Sequence, residues 1–168
     1  MDYIIRKMRK EDCAAVNHVV TVAWNEAYKG IVPDSELEKL YENEEERTEK
    51  GLSSFDEKNV RTIVLEIDNE VVGFSHYAAA NQDNFPDCGE IRALYIISKY
   101  HKYGFGRKLV EESIKELKKM GFDKMIICCL KDNINATKFY EHIGGKYIKE
   151  GVYERLNLPE NIYYYEKI

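Results

Sequence analysis

The sequence predicts an α/β fold, a single domain in which a mixed sheet is flanked by helices. Three observations point there. From Val60 the chain leaves helical periodicity for two β-rich runs, "VRTIVLEI" and "EVVGFSHYAAA", with the turn residues Asp68 and Asn69 between them. From Glu90 to Leu130 an apolar run, a helical stretch and a second apolar run follow one another, the pattern of a strand, helix, strand unit. The 168 residues contain no repeat, low-complexity tract or interdomain linker, and that length suits one core without staples or metals.

The elements follow in order. "YIIRKM" is a short first strand, and Asp12 is placed to cap the helix after it. Val16, Val19, Val20, Ala23, Trp24 and Ala27 recur at helical spacing, giving that helix one apolar face as far as "YKG". Pro33 with Asp34 or Ser35 opens a second helical region, highly charged, with a break expected around Asn43. The two β-rich runs then form a meander. "NQDNFPDCG" is a polar loop leading into a further strand, "EIRALYII". Leu109, Val110, Ile114 and Leu117 return to helical spacing, and Gly121 stops that helix after lysines in its last turn. "DKMIICCL" is uniformly apolar and short, as an interior strand would be. "INATKFYEHIGG" is a short helix ended by Gly144 or Gly145, and "KYIKEGVYERL" with "NIYYYEKI" supplies a last β pair.

Composition narrows the function. Hydrophobic residues at 44% and charged residues at 33% describe a soluble globular protein, with no apolar run long enough to span a membrane. The start, "MDYIIRKMRKED", lacks the form of a signal peptide, so a cytoplasmic protein with no membrane partner is expected. A formal charge of -5 argues against nucleic acid as a partner. Cys13, Cys88, Cys128 and Cys129 contain no C-x-x-C pair, and the histidines lack i, i+4 partners. Reduced structural thiols and no metal follow.

The window His101, Lys102, Tyr103, Gly104, Phe105, Gly106 sets two glycines at the opening of a helix. Helix N-termini present N–H groups without intrahelical partners and the positive end of the dipole, which suits an anion. Lys102, Arg107 and Lys108 would add cations at the rim. Taken alone, the glycines equally serve a tight turn. A dinucleotide fingerprint would need a third glycine where Leu109 stands, and a Walker loop needs a different spacing and Ser or Thr after Lys, so both fail.

"EIRALYIISKYHKYGFGRKL" followed by "KDNINATKFYEHIGG" resembles the GCN5-related N-acetyltransferases, the GNAT superfamily, over about fifty residues. The resemblance implies a GNAT-like, mostly antiparallel sheet and acetyl-CoA as acetyl donor. It implies that the 101–106 loop with Arg107 wraps the cofactor's diphosphate with backbone amides. His101 departs from the Gln or Arg of the family pattern but can still donate a hydrogen bond. It implies further that Leu94, Tyr95 and Ile96 bond the pantetheine arm through their main chain. The N–H of Tyr95 or Ile96 would then polarise the thioester carbonyl. Asn133, with Asn135 and Lys138 as further candidates, falls on the cofactor side, and Tyr140 on the family's proton-donating Tyr. A phenol of reference pKa about 10 can protonate a departing thiolate without a large mismatch. Gly145 stands where the family often has an aromatic residue, which implies looser packing there.

An amine acceptor must lose a proton before it attacks. Glu90 is the candidate base, directly or through water, against a structural carboxylate at a strand entrance; His76 and Tyr77 are runners-up. "AWNEAYKGIVPDSELEKLY" resembles the helical region that shapes acceptor sites in small-molecule members of the superfamily, which puts Trp24, Tyr28 and Ile31 at the wall, although Trp24 also fits a wholly core position. The expectation is direct transfer to a primary amine, of a small molecule, in a ternary complex; the alternative is a catalytically silent acyl-CoA sensor on the same fold. The tyrosine-rich last strand is expected to be an edge through which two copies could pair as a homodimer.

Overall fold

The computed structural model describes residues 1–82 and 84–168, so Asp83, in the predicted polar loop, lies outside the described residues. The elements are β1 (Tyr3–Lys7), α1 (Cys13–Ala27), α2 (Asp34–Glu42), α3 (Glu44–Ser54), β2 (Thr62–Ile67), β3 (Glu70–Ala79), β4 (Gly89–Ile96), α4 (Phe105–Lys119), β5 (Met125–Leu130), α5 (Ile134–His142), β6 (Lys146–Tyr153) and β7 (Leu158–Tyr165). Their order is the predicted one, with the break between α2 and α3 at Asn43. The strands form one open sheet in the order β1-β2-β3-β4-β5-β7-β6, antiparallel except between β4 and β5.

By proximity the chain divides into two compact units. The first comprises Met1–His76 with Ala93–Glu112. There β1 pairs with β2, and β2 with β3 through a turn at Asp68 and Asn69, both with positive φ, as the two-residue hairpin turn that matches strand twist requires. Val19 of α1 packs with Val64 and Phe74 of the sheet, all three buried. Arg47 of α3 donates to Thr21 Oγ1 at 2.6 Å and to the Leu40 carbonyl at 2.8 Å, tying α1, α2 and α3 together. Asp12 does not cap α1 with its side chain. Arg6 takes it instead, at 2.7 and 3.0 Å, while the Arg9 N–H donates to it at 2.7 Å. The Arg6 guanidinium, six residues earlier on β1, competes successfully for a carboxylate that helix-start spacing assigned to the cap.

The second unit comprises Tyr77–Arg92 with Ser113–Ile168. β5 is interior, as predicted, between β4 and β7. Its two faces bury different neighbours: Ile126 packs with Cys88 and Ile162, whereas on the other face Leu117 of α4 crowds Gly89, where an added Cβ would stand 2.7 Å from it. Leu117 is fully buried, so truncating it would cost about 2–5 kcal/mol. One expectation is corrected here. β7 is not an edge, because β6 folds back over it from Lys146↔Tyr164 to Tyr153↔Leu158, and β6 takes the outer position. Ile162 and Tyr163 of β7 are about 1% exposed, and such side chains need neighbours on every side, which an edge strand does not provide.

Candidate functional site

In the first unit the site is built on the end of β4. The parallel ladder of β4 with β5 covers Gly89↔Met125, Glu90↔Ile126 and Ile91↔Ile127 and stops. Where it stops, burial stops: Gly89, Glu90 and Ile91 are buried, Arg92 is exposed, and Ala93, Leu94 and Tyr95 are half-buried before Ile96 closes over again. The stretch predicted to carry an extended ligand, Leu94 to Ile96, is therefore the more open half of the strand.

β4 then enters a 3-10 turn, Ser98–Tyr103, which the sequence did not reveal. Its two ends are pinned. Glu26 at the end of α1 accepts from the Ser98 N–H and from Ser98 Oγ, each at 2.8 Å. His101 Nε2 donates to the Ile96 carbonyl at 2.7 Å. Thus His101 is committed through one nitrogen to holding the turn on β4. Gly104 follows with φ 77° and ψ 8°, a left-handed conformation that disfavours any side chain. A Cβ on it would meet nothing within 4 Å, so backbone geometry selects glycine here and the space beside it is open.

α4 starts at Phe105, inside the glycine window where the sequence sets the opening of a helix. The bond from Lys108 N to the Gly104 carbonyl, 3.3 Å, closes its first turn, so the N–H groups of Phe105, Gly106 and Arg107 precede the first such bond. Phe105 is buried edge-on against Tyr3, with ring centroids 5.1 Å apart, and anchors the turn from below. Lys102, Tyr103 and Arg107 are exposed around the loop. Lys108 lies instead over the Tyr3 ring, 5.3 Å from its centroid.

The acceptor-wall candidates gather in the same unit. Trp24 and Tyr28 meet edge to face at 4.9 Å, Trp24 and Tyr95 at 6.3 Å, and the Tyr28 and Tyr95 hydroxyls are 3.5 Å apart. Trp24 is 8% exposed and so belongs mainly to the core. Ile31 is half-buried beyond α1, and His76 bonds Thr62 Oγ1 through Nδ1 at 2.9 Å. A groove of about 370 Å³ beside β1, lined by Arg6, Arg9, Phe55 and Lys58 among others, contains none of the predicted site residues.

In the second unit Glu90 is 7% exposed. Burial pushes its carboxyl up from the usual range, against a smaller opposing pull from Arg92, whose Nε stands 3.7 Å from Oε2. Tyr140 is also buried, its ring 5.3 Å from Phe139 and 6.3 Å from Tyr163. The two lie on opposite sheet faces: Glu90 is in register with Ile126, whereas the Tyr163 that packs on Tyr140 is in register with Ile127. Asn133 caps α5, its Oδ1 accepting from the Ala136 N–H at 3.3 Å, and Asn135 is exposed on the first turn. Tyr77 is buried and donates to Glu116 of α4 at 3.2 Å.

Gly145 packs more tightly than expected. A Cβ there would stand 2.7 Å from the Tyr140 carbonyl and 2.7 Å from the Tyr165 hydroxyl. Tyr165 donates to that carbonyl at 2.8 Å, so an aromatic from β7 fills the place that an aromatic beside the helix end would have taken. Burial pushes the Cys129 thiol up to about 12 and Cys128 higher still, with nearby carboxylates adding to both, as befits inert thiols. Glu160 of β7, outside the set of residues predicted for the site, is half-buried in the same unit as Glu90 and alternates with Ile162 and Tyr164 along one strand face.

Residues 22–145 match the profile of the acetyltransferase (GNAT) family. An uncharacterised N-acetyltransferase of Bacillus subtilis (strain 168), YuaI, is 23% identical over 152 residues, 89% of this chain and 84% of that protein. Among solved structures, the PaiA N-acetyltransferase of Thermoplasma acidophilum in complex with coenzyme A is 22% identical, with a TM-score of 0.78, 98% of this chain and 100% of that one being covered. YncA of Salmonella typhimurium, an acetyltransferase solved with acetyl-CoA, is 18% identical with a TM-score of 0.65, covering 98% of this chain and 94% of that one. The family match spans most of the chain, which therefore belongs to the acetyltransferase (GNAT) family.

Proposed function

We propose that the protein is an acetyl-CoA-dependent N-acetyltransferase that acetylates a primary amine of a small molecule by direct attack in a ternary complex. The observation that carries this is the turn at Gly104, left-handed, open on the side where a Cβ would point, and followed by the first N–H groups of α4. A diphosphate fits such a place: main-chain donors and the helix dipole face it, and Lys102 and Arg107 are at hand. The main chain of Leu94–Ile96 would hold the pantetheine arm in the manner of an added strand. Solved relatives in complex with coenzyme A and with acetyl-CoA support this cofactor.

In this proposal each step belongs to a residue. Glu90, kept proton-hungry by burial, accepts the proton of the acceptor's ammonium, directly or through water. The N–H of Tyr95 or Ile96 stabilises the oxyanion as the free amine attacks the thioester carbon. Tyr140, on the face opposite Glu90, acts across the gap that opens where the β4–β5 ladder ends after Ile91, and donates its phenolic proton to the sulfur there as the C–S bond breaks. The raised thiols of Cys128 and Cys129 favour direct transfer over an acyl-enzyme. Amine-dependent release of free coenzyme A from acetyl-CoA, measured over a panel of amines, tests the activity. Tight coenzyme A binding with no acceptor-dependent release would instead identify a binding module.

A further inference from the structure

The turn that leads to Gly104 is capped by a residue of another helix. Ser98 is its first residue, and Ile97 at the N-cap has no side-chain acceptor to offer. The first N–H of a helical turn has no partner within that turn. Glu26 provides one, accepting from the Ser98 N–H with Oε2 and from Ser98 Oγ with Oε1, each at 2.8 Å. Both carboxylate oxygens serve this one residue, and no cation pairs with Glu26 among the described residues. Within α1 the same carboxylate is misplaced. It lies in the last turn, which has no basic residue, and so faces the negative end of the helix dipole. The local stability of α1 gives no reason for an acid there, whereas the reach to Ser98 does.

Three consecutive residues at the end of β4 are thereby held through their main chain. His101 Nε2 holds the Ile96 carbonyl at 2.7 Å, the Val72 carbonyl holds the Ile97 N–H at 3.0 Å, and Glu26 holds the Ser98 N–H. The six residues from Ser98 to Tyr103, rising about 2 Å each, put Gly104 on the order of 12 Å from the clamp. An anion beside Gly104 is then out of contact with Glu26 and beyond the screening length of about 8 Å in physiological salt. Building on the acetyltransferase reading above, we propose that Glu26 is a positioning residue for coenzyme A. It clamps the start of the turn to α1, so that Gly104 and the first N–H groups of α4 stand in place before the diphosphate arrives. Such preorganisation raises affinity by removing an ordering cost from binding. Because Trp24 precedes Glu26 in α1 and Tyr28 follows it, the clamp also ties the predicted acceptor wall to the cofactor turn.

The test compares the wild type with Glu26→Ala, Glu26→Gln and Ser98→Ala by calorimetric titration of coenzyme A, by steady-state turnover of acetyl-CoA with the amine panel and by thermal unfolding. The two bonds are solvent-exposed, so Glu26→Ala should weaken Kd for coenzyme A by about 10-fold. That loss should appear in KM for acetyl-CoA rather than in kcat, with Tm kept within about 3 °C. Glu26→Gln should recover most of the affinity, since its amide can accept from the N–H and donate to Oγ. Ser98→Ala should add nothing in the Glu26→Ala background, as expected of two residues acting through one contact. Coenzyme A affinity unchanged in Glu26→Ala, or a loss that falls on Tm alone, would overturn the clamp and leave the acetyltransferase standing. A wild type that binds no coenzyme A would remove both.

Discussion

Replacing Gly104 separates conformation from ligand contact. At φ 77° an alanine would carry the cost of a left-handed residue, about 1–2 kcal/mol, with no clash to add, since nothing lies within 4 Å of the new Cβ. For a chain of this length that corresponds to about 2–8 °C in Tm. Asparagine tolerates the same conformation, so Gly104→Asn should keep most of the lost stability. Coenzyme A should report differently. If its diphosphate rests in the open space beside Gly104, either side chain displaces it from the first N–H groups of α4. Loss of one charge-assisted contact would weaken Kd by about 10–100-fold. Thermal unfolding and calorimetric titration of coenzyme A on the three proteins give both quantities. A Gly104→Asn variant that binds coenzyme A as tightly as the wild type would refute the placement of the diphosphate.

Other substitutions probe the chemistry and the scaffold. Tyr140→Phe should lower kcat by about 100-fold or more while changing coenzyme A affinity little, as loss of a general acid does, and equal turnover would remove that role. For Glu90, burial raises the folded-state carboxyl above its unfolded value of about 4.3, so the native state holds the proton more tightly. The stability this proton contributes is full below the unfolded value and is lost as pH rises through the raised one, whereas activity rises over that same window. Glu90→Gln should therefore lose turnover and flatten both profiles, and a rate limb at an ordinary carboxylate pKa would contradict the burial. Gly145→Ala forces a methyl to 2.7 Å from the Tyr140 carbonyl and the Tyr165 hydroxyl, and should destabilise by about 1–3 kcal/mol in chemical denaturation. Relief by the added Tyr165→Phe would support the crowding.

Legibility followed the range of the interactions. Periodicity and turn chemistry are local, and they located all seven strands, the helix break at Asn43 and the Asp68–Asn69 turn. What escaped was decided across space. Glu26 pins a 3-10 turn at Ser98, and Tyr165 supplies the ring that Gly145 lacks. The tyrosine-rich β7 was expected at an edge, and only the pairing of β6 along it shows that it is interior. In the site, the Gly104 loop announced itself through residue type and spacing.

The most direct test is a crystal structure of the protein with coenzyme A. The diphosphate should lie within hydrogen-bond distance of the main-chain N–H groups between Gly104 and Lys108, with the pantetheine running along Leu94–Ile96. A diphosphate bound anywhere else on the chain, with that turn closed to it, would contradict the proposed function at its root.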